Sequence, residues 1–421
     1  MIKKTLLVSA LCAGLLTLPV WANQAGSAIK LDQLASTDLT SLISDVLPGH
    51  PRLLAARDAL HAAVTRLQAS ERPLYNPELE FDTENTDINT TVLQLSQTID
   101  SGGQRKAKTR IAEAELNAGR TQFELAELLL LNDLLAALAD DQSGRELAVL
   151  ATEGLELMRE FADIADRRYQ AGDLTRVEAD LAQLAYNEAL MSNAQALSEA
   201  AAAREQLIAL YQMPSTSITG LPETLPTPVL PENLDTFIDE LPSMRKARFE
   251  VEALRENIAL REGERSWEPT LAVRGGREDE ESLIGLTLSL PLKIRNNQKA
   301  QVQTARQELA RSEQLLRQAR RDQRAQLLSI TERYRLLQSA FTEWQKSGRS
   351  HVNRQLKLIK RLWRSGDMST TEYLVQLKQA LETQASGIAL RNRMWRSGFE
   401  WMNVTASIDD WLNLTYTGIN K

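Results

Sequence analysis

Residues 168–178 read RYQAGDLTRVE, and residues 362–372 read LWRSGDMSTTE, 194 positions later. Each copy sets an aromatic three residues before a Gly-Asp pair and a glutamate six residues after the glycine. Gly172 and Gly366 stand where a helix needs a left-handed closing residue, which glycine adopts without a Cβ penalty. Asp173 or Thr175, and Asp367 or Ser369, can then accept the free N–H groups of a following helix. Both stretches therefore read as tips of helical hairpins, made twice in one chain.

The duplication extends outward from the tips. YNPELEF (75–81) pairs with WEPTLAV (267–273), and LSQTIDSGGQRKAKTRIAEAEL (95–116) pairs with LSLPLKIRNNQKAQVQTARQEL (288–309). Ordered matches across unlike segments point to an internal repeat rather than to the general likeness of helical sequences. Each half reads as helix, strand pair, very long helix, tight turn and long return helix. The opening helices are expected near Pro51–Glu71 and Met244–Arg265. The long rods run from after Gly102-Gly103 to Ala171 and from after Asn296-Asn297 to Ser365, about 100 Å at 1.5 Å per residue. The returns cover Thr175–Tyr211 and Ser369–Thr405. Leu147, Leu150, Gly154, Leu157, Phe161 and Ile164 step by threes and fours, a coiled-coil seam. In the second copy Leu327, Ile330, Tyr334, Leu337, Phe341 and Trp344 do likewise, before steps of four through Gly348, Val352 and Leu356 announce a change of winding.

The expected organisation is a signal peptide at 1–22, an N-terminal segment at 23–49 and a first repeat at 50–212. A proline-rich extended connector follows at 213–242, then a second repeat at 243–405 and a C-terminal segment at 406–421. Lys3 and Lys4 before an apolar run, with Val20 and Ala22 as small residues at a cleavage site, give the leader its reading. The sole cysteine, Cys12, falls inside it, so disulfides and thiolate ligands are not expected. No later stretch is long and apolar enough for a transmembrane helix.

The strands alternate. Leu79, Phe81 and Thr83 oppose Glu78, Glu80, Asp82 and Glu84, while Ile284, Leu286, Leu288 and Leu290 share one face. Alternation of about ten residues between polar turns is the pattern of outer-membrane barrels. Tyr75 and Trp267 stand where an interfacial aromatic girdle would be. Four strands are too few to close, and an open edge in lipid leaves backbone groups unpaired, so copies must pool them. The four acids are candidate lumen residues favouring cations.

Other classes are disfavoured. A formal charge of −7 and a pI near 5.4 leave no basic face for nucleic acid. His50, His61 and His351 are scattered, and His50 and His61, which lack metal-ligand partners, are read as surface helix residues. No nucleophile motif or phosphate loop is present, so neither an enzyme nor a cofactor is expected. The competing class is a periplasmic coiled-coil adaptor or scaffold, which membrane fractionation would separate.

Duplicated helix–strand–long-helix halves, the NPELEF and GLTLSLPL strands and the RYxAGD turn resemble the TolC family of outer-membrane efflux proteins, from about His50 to Thr405. LSQTIDSGGQRKAK and LSLPLKIRNNQKAQ look most like its heavy-metal, CzcC/CusC-like branch. The resemblance implies a mainly α fold with a small β part. It further implies a homotrimer whose twelve strands form one barrel in outer-membrane lipid and whose helices form a periplasmic α-barrel tunnel. It implies that the tips Gly172, Asp173, Gly366 and Asp367 meet a periplasmic membrane-fusion adaptor bound to an inner-membrane RND-type pump. By the same resemblance Glu372, and less directly Glu178, are gate candidates, with Val375 replacing a second acid. Metal cations are the implied cargo, and drug efflux or type I secretion the alternatives.

Overall fold

A computed structural model describes residue 29 and residues 31–85, 89–212 and 220–414. The leader with Cys12, the first part of the connector and the end of the C-terminal segment lie outside the described residues. The first repeat comprises α2 (Pro51–Ser70), β1 (Glu78–Asn85), β2 (Asn89–Thr98), α3 (Gln104–Gln170) and α4 (Arg176–Tyr211), preceded by α1 (Thr37–Val46). The second comprises α6 (Pro242–Gly263), β3 (Thr270–Glu278), β4 (Glu281–Ser289), α7 (Lys299–Glu343), α8 (Arg349–Ser365) and α9 (Thr370–Val404). Short helices α5 (Leu234–Glu240) and α10 (Ile408–Trp411) flank it.

The rod α3 is one uninterrupted helix of 67 residues, about 100 Å long. Its counterpart is not. A π-turn at Trp344–Gly348 separates α7 from α8. The step-of-four spacing there marks this break, since a π-turn takes up an extra residue within a helix and delays its phase. The cause lies across the packing: a Cβ on Gly387 of α9 would sit 2.4 Å from the Trp344 indole. The missing side chain leaves room for that wide ring between the helices.

The waist of the rods carries the main core. Leu131, Leu134 and Leu135 of α3 pack with Leu327 and Tyr334 of α7, Trp395 and Trp401 of α9, and Trp411 of α10. Across this core runs the proline-rich connector, extended from Gly220 until Asn233 caps α5. An extended strap outside any sheet must satisfy its carbonyls with side chains. Pro222 O accepts from Trp395 Nε1 at 2.9 Å, Pro226 O from the Tyr334 hydroxyl at 2.6 Å and Leu225 O from Gln338 Nε2 at 3.0 Å. The helix α5 departs from the extended connector read in the sequence. His50 also departs from its surface reading: it is buried and caps α2, its Nδ1 accepting from Arg52 N at 3.2 Å.

The strands form one antiparallel sheet in the order β1-β2-β3-β4, so the two repeats join through β2 and β3. Within the described chain, β1 and β4 are its two edges.

Candidate functional site

The sheet has two unlike faces. Register sets Leu79, Leu95, Val273 and Leu286 in one row and Phe81, Leu93, Gly275 and Ile284 in the next. These side chains are exposed, Leu286 to 84%. A contiguous apolar patch of this kind marks a buried interface or a membrane surface. Glu78, Glu80, Asp82 and Glu84 share the opposite face, where Gln94 Nε2 donates to Glu80 Oε2 at 3.0 Å. The same register adds Glu278 and Glu281 beside Glu84, and places Arg274 in the row of Glu80 and Gln94. Sequence reading missed these three, because only the cross-strand pairing brings them to that face.

The two aromatics at the base of the strands differ. Trp267 is exposed, whereas the Tyr75 hydroxyl donates to Glu268 Oε1 at 2.7 Å, and Gln104 binds the same carboxylate. Tyr75 thus belongs to a polar joint between sheet and rods.

At the far end both tips close alike. Gly172 and Gly366 have φ of 83° and 84°. Gly172 N donates to Tyr169 O and Asp173 N to Arg168 O; Gly366 N and Asp367 N repeat this with Trp363 O and Leu362 O. These paired bonds satisfy the last carbonyls of each rod. Asp367 Oδ2 accepts from the Ser365 hydroxyl at 2.6 Å, while Thr175 and Ser369 cap the return helices.

Glu178 and Glu372 complete these caps. Glu372 Oε2 accepts from Ser369 N at 3.1 Å and from its hydroxyl at 2.8 Å, while Glu372 N donates to the same hydroxyl. Glu178 does the same with Thr175. Both are capping boxes, legible as Thr-x-x-Glu and Ser-x-x-Glu. The Ser369 hydroxyl, then its N–H, hold the Glu372 carboxyl below the usual glutamate range; for Glu178 the Thr175 N–H leads. A lowered carboxyl stabilises the fold above its unfolded value and loses that contribution as pH falls through its folded value. Acidification should therefore fray the starts of α4 and α9. Glu372→Gln keeps an acceptor and should make the start of α9 insensitive to pH, whereas Glu372→Ala should fray it throughout. Hydrogen exchange over residues 369–375 reads this; equal protection in both variants would refute the cap.

The tips are joined side by side. Trp363 of α8 stacks on Tyr373 of α9 with centroids 4.6 Å apart, and Phe161 of α3 lies 5.1 Å from Trp363. Arg168 Nη2 donates to Trp363 O at 3.3 Å, and Glu160 of α3 pairs with Lys360 at 2.8 Å and with Arg364. Arg364, followed by Lys360, holds the Glu160 carboxyl below its ordinary value. The repeated aromatic has diverged: Trp363 is buried in this joint and Tyr169 is exposed.

Two faces of opposite polarity at one end of long helical rods, and paired hairpin tips at the other, make up a TolC-like fold. The model of the family "outer membrane efflux protein" matches residues 42–211, the span of the first repeat. By that match the first repeat is similar to the outer membrane efflux protein family. The chain's fold is similar to CusC, with a TM-score of 0.74 at 14% identity over 88% of this chain and 92% of that one. VceC from Vibrio cholerae gives 0.70 at 15% over 87% and 96%. The open-state MtrE outer membrane channel of Neisseria gonorrhoeae gives 0.73 at 15% over 89% and 90%. No curated protein matches the sequence significantly.

Proposed function

We propose that this chain is the outer-membrane channel subunit of a tripartite efflux system, a passive trimeric conduit leading from a periplasmic adaptor and its RND-type pump to the exterior, with metal cations as cargo. The observation that carries the membrane assignment is the sheet itself: one face apolar and exposed, the other acidic, and both edges open among the described residues of one chain. Lipid accepts such a sheet only when its edges are paired, which copies of the chain supply to one another.

The polar face then lines the lumen. Its acids Glu78, Glu80, Asp82, Glu84, Glu278 and Glu281 outnumber Arg274, which supports cation passage. Reversal potentials in planar bilayers under a salt gradient should show cation preference, weakened by Glu80→Gln with Asp82→Asn. Anion preference at low salt would overturn the cargo assignment. The paired tips Gly172-Asp173 and Gly366-Asp367 are the adaptor-facing end, and Glu372 is the gating acid. Glu372→Gln should then leave the channel leaky. Unchanged conductance in that variant would confine Glu372 to capping.

A further inference from the structure

The apolar face does not end with the sheet. Beyond β4 the alternation continues through Leu290, Leu292 and Ile294, outside any strand pairing among the described residues. Leu292 is 67% exposed and Ile294 80%, close to the 85% of Ile284 within the strand. The phase of this extension is held from the other side. Lys293, between the two, turns inward and donates its Nζ to Ser266 O at 2.7 Å and to Glu264 O, at the end of α6. The even-numbered side chains are thereby left facing out.

Dimensions give the extension its meaning. From Ile284 to Leu288, at 3.4 Å per residue, the paired strand offers about 14 Å of apolar length, or about 10 Å of height at a tilt of about 40°. An outer-membrane barrel presents a band about 25 Å tall. Continuing to Leu292 gives about 27 Å of length and about 21 Å of height by the same geometry, and there the chain turns, Ile294 N donating to Leu292 O at 2.9 Å. The ladder of β2 and β3 also runs on past its strands, with Ile99 N donating to Pro269 O at 3.0 Å. Extending the pairing of Thr270 with Ser289 sets the exposed Trp267 level with Leu292. An aromatic at the end of an apolar band is the mark of a membrane interface.

We infer that Leu290, Leu292 and Ile294 are a membrane-embedded surface, in contact with the acyl chains of the leaflet nearer the helical rods and bounded by Trp267. The inference rests on the membrane-channel reading and extends it to a segment outside the sheet. Continuity with the apolar rows of the strands selects lipid as the occupant over a second protein copy.

Nitroxide labels on single cysteines replacing Ile284, Leu292 or Ile294, in the full chain with Cys12 replaced by serine, test this in proteoliposomes. Collision with oxygen reports lipid, and collision with a water-soluble nickel chelate reports water. Labels at 292 and 294 should match the label at 284, with oxygen favoured and nickel excluded. A lipid-like 284 with 292 and 294 open to nickel, or shielded from both reagents by a neighbouring copy, would overturn the inference while leaving the channel reading intact. Nickel access at 284 itself would remove the membrane assignment and the inference with it.

Discussion

Replacing Trp363 by alanine is expected to destabilise the tip by about 3–5 kcal/mol, the range for removing a large buried aromatic. Trp363 is 2% exposed, stacks on Tyr373 and touches Phe161, so three helices meet on one ring. The other buried residues of α8 are Val352 and Ile359, which are much smaller. Without the indole, α8 is held to α3 mainly by the pairs of Glu160 with Lys360 and Arg364, which are partly exposed. Pairs of that kind are worth at most about 1 kcal/mol each. The variant should therefore release α8 from α3 near the tip while the waist core stays folded. Faster hydrogen exchange confined to residues 349–373 and a larger channel conductance would register this. Trp363→Phe, which keeps a ring in the stack, should lose less. Wild-type protection in Trp363→Ala would show that the joint is held elsewhere.

The second large effect concerns the apolar face. Leu286→Arg places a charge at the β4 end of the row formed with Val273, Leu95 and Leu79. In water, a substitution at a side chain 84% exposed should change stability by no more than about 0.5 kcal/mol. On the lipid face of a barrel an arginine costs up to about 2–4 kcal/mol, the value reached at the midplane, borne by each copy in an oligomer. The two environments thus predict different outcomes for one residue. Folding into lipid vesicles, followed by urea titration, should show the larger loss for Leu286→Arg and little change for Glu80→Gln on the opposite face. Equal behaviour of the two would place the sheet in water.

Much of this architecture is local and hence legible in the sequence. Gly-Asp followed by Thr-x-x-Glu or Ser-x-x-Glu specifies a helix end and a helix start within a dozen residues, and alternation specifies a strand with two faces. The features that escaped reading depend on distant partners. The π-turn requires Trp344 to meet Gly387, 43 positions further along the chain. Tyr75 is tied to the other repeat, because Glu268 there binds its hydroxyl. His50 looks like a surface residue until the fold buries it as a cap. Glu372 is legible as a cap from the Ser-x-x-Glu spacing alone, whereas a gating role depends on how the tips of neighbouring copies meet, which one chain's local sequence does not carry.

The central claim is that the sheet of one chain is a fragment of a wall completed by other copies in lipid. The most direct test is the mass of the protein extracted from the outer membrane in mild detergent, combined with its single-channel conductance after reconstitution. The account predicts three chains per particle and discrete, cation-preferring openings. A water-soluble single chain that never conducts would contradict it.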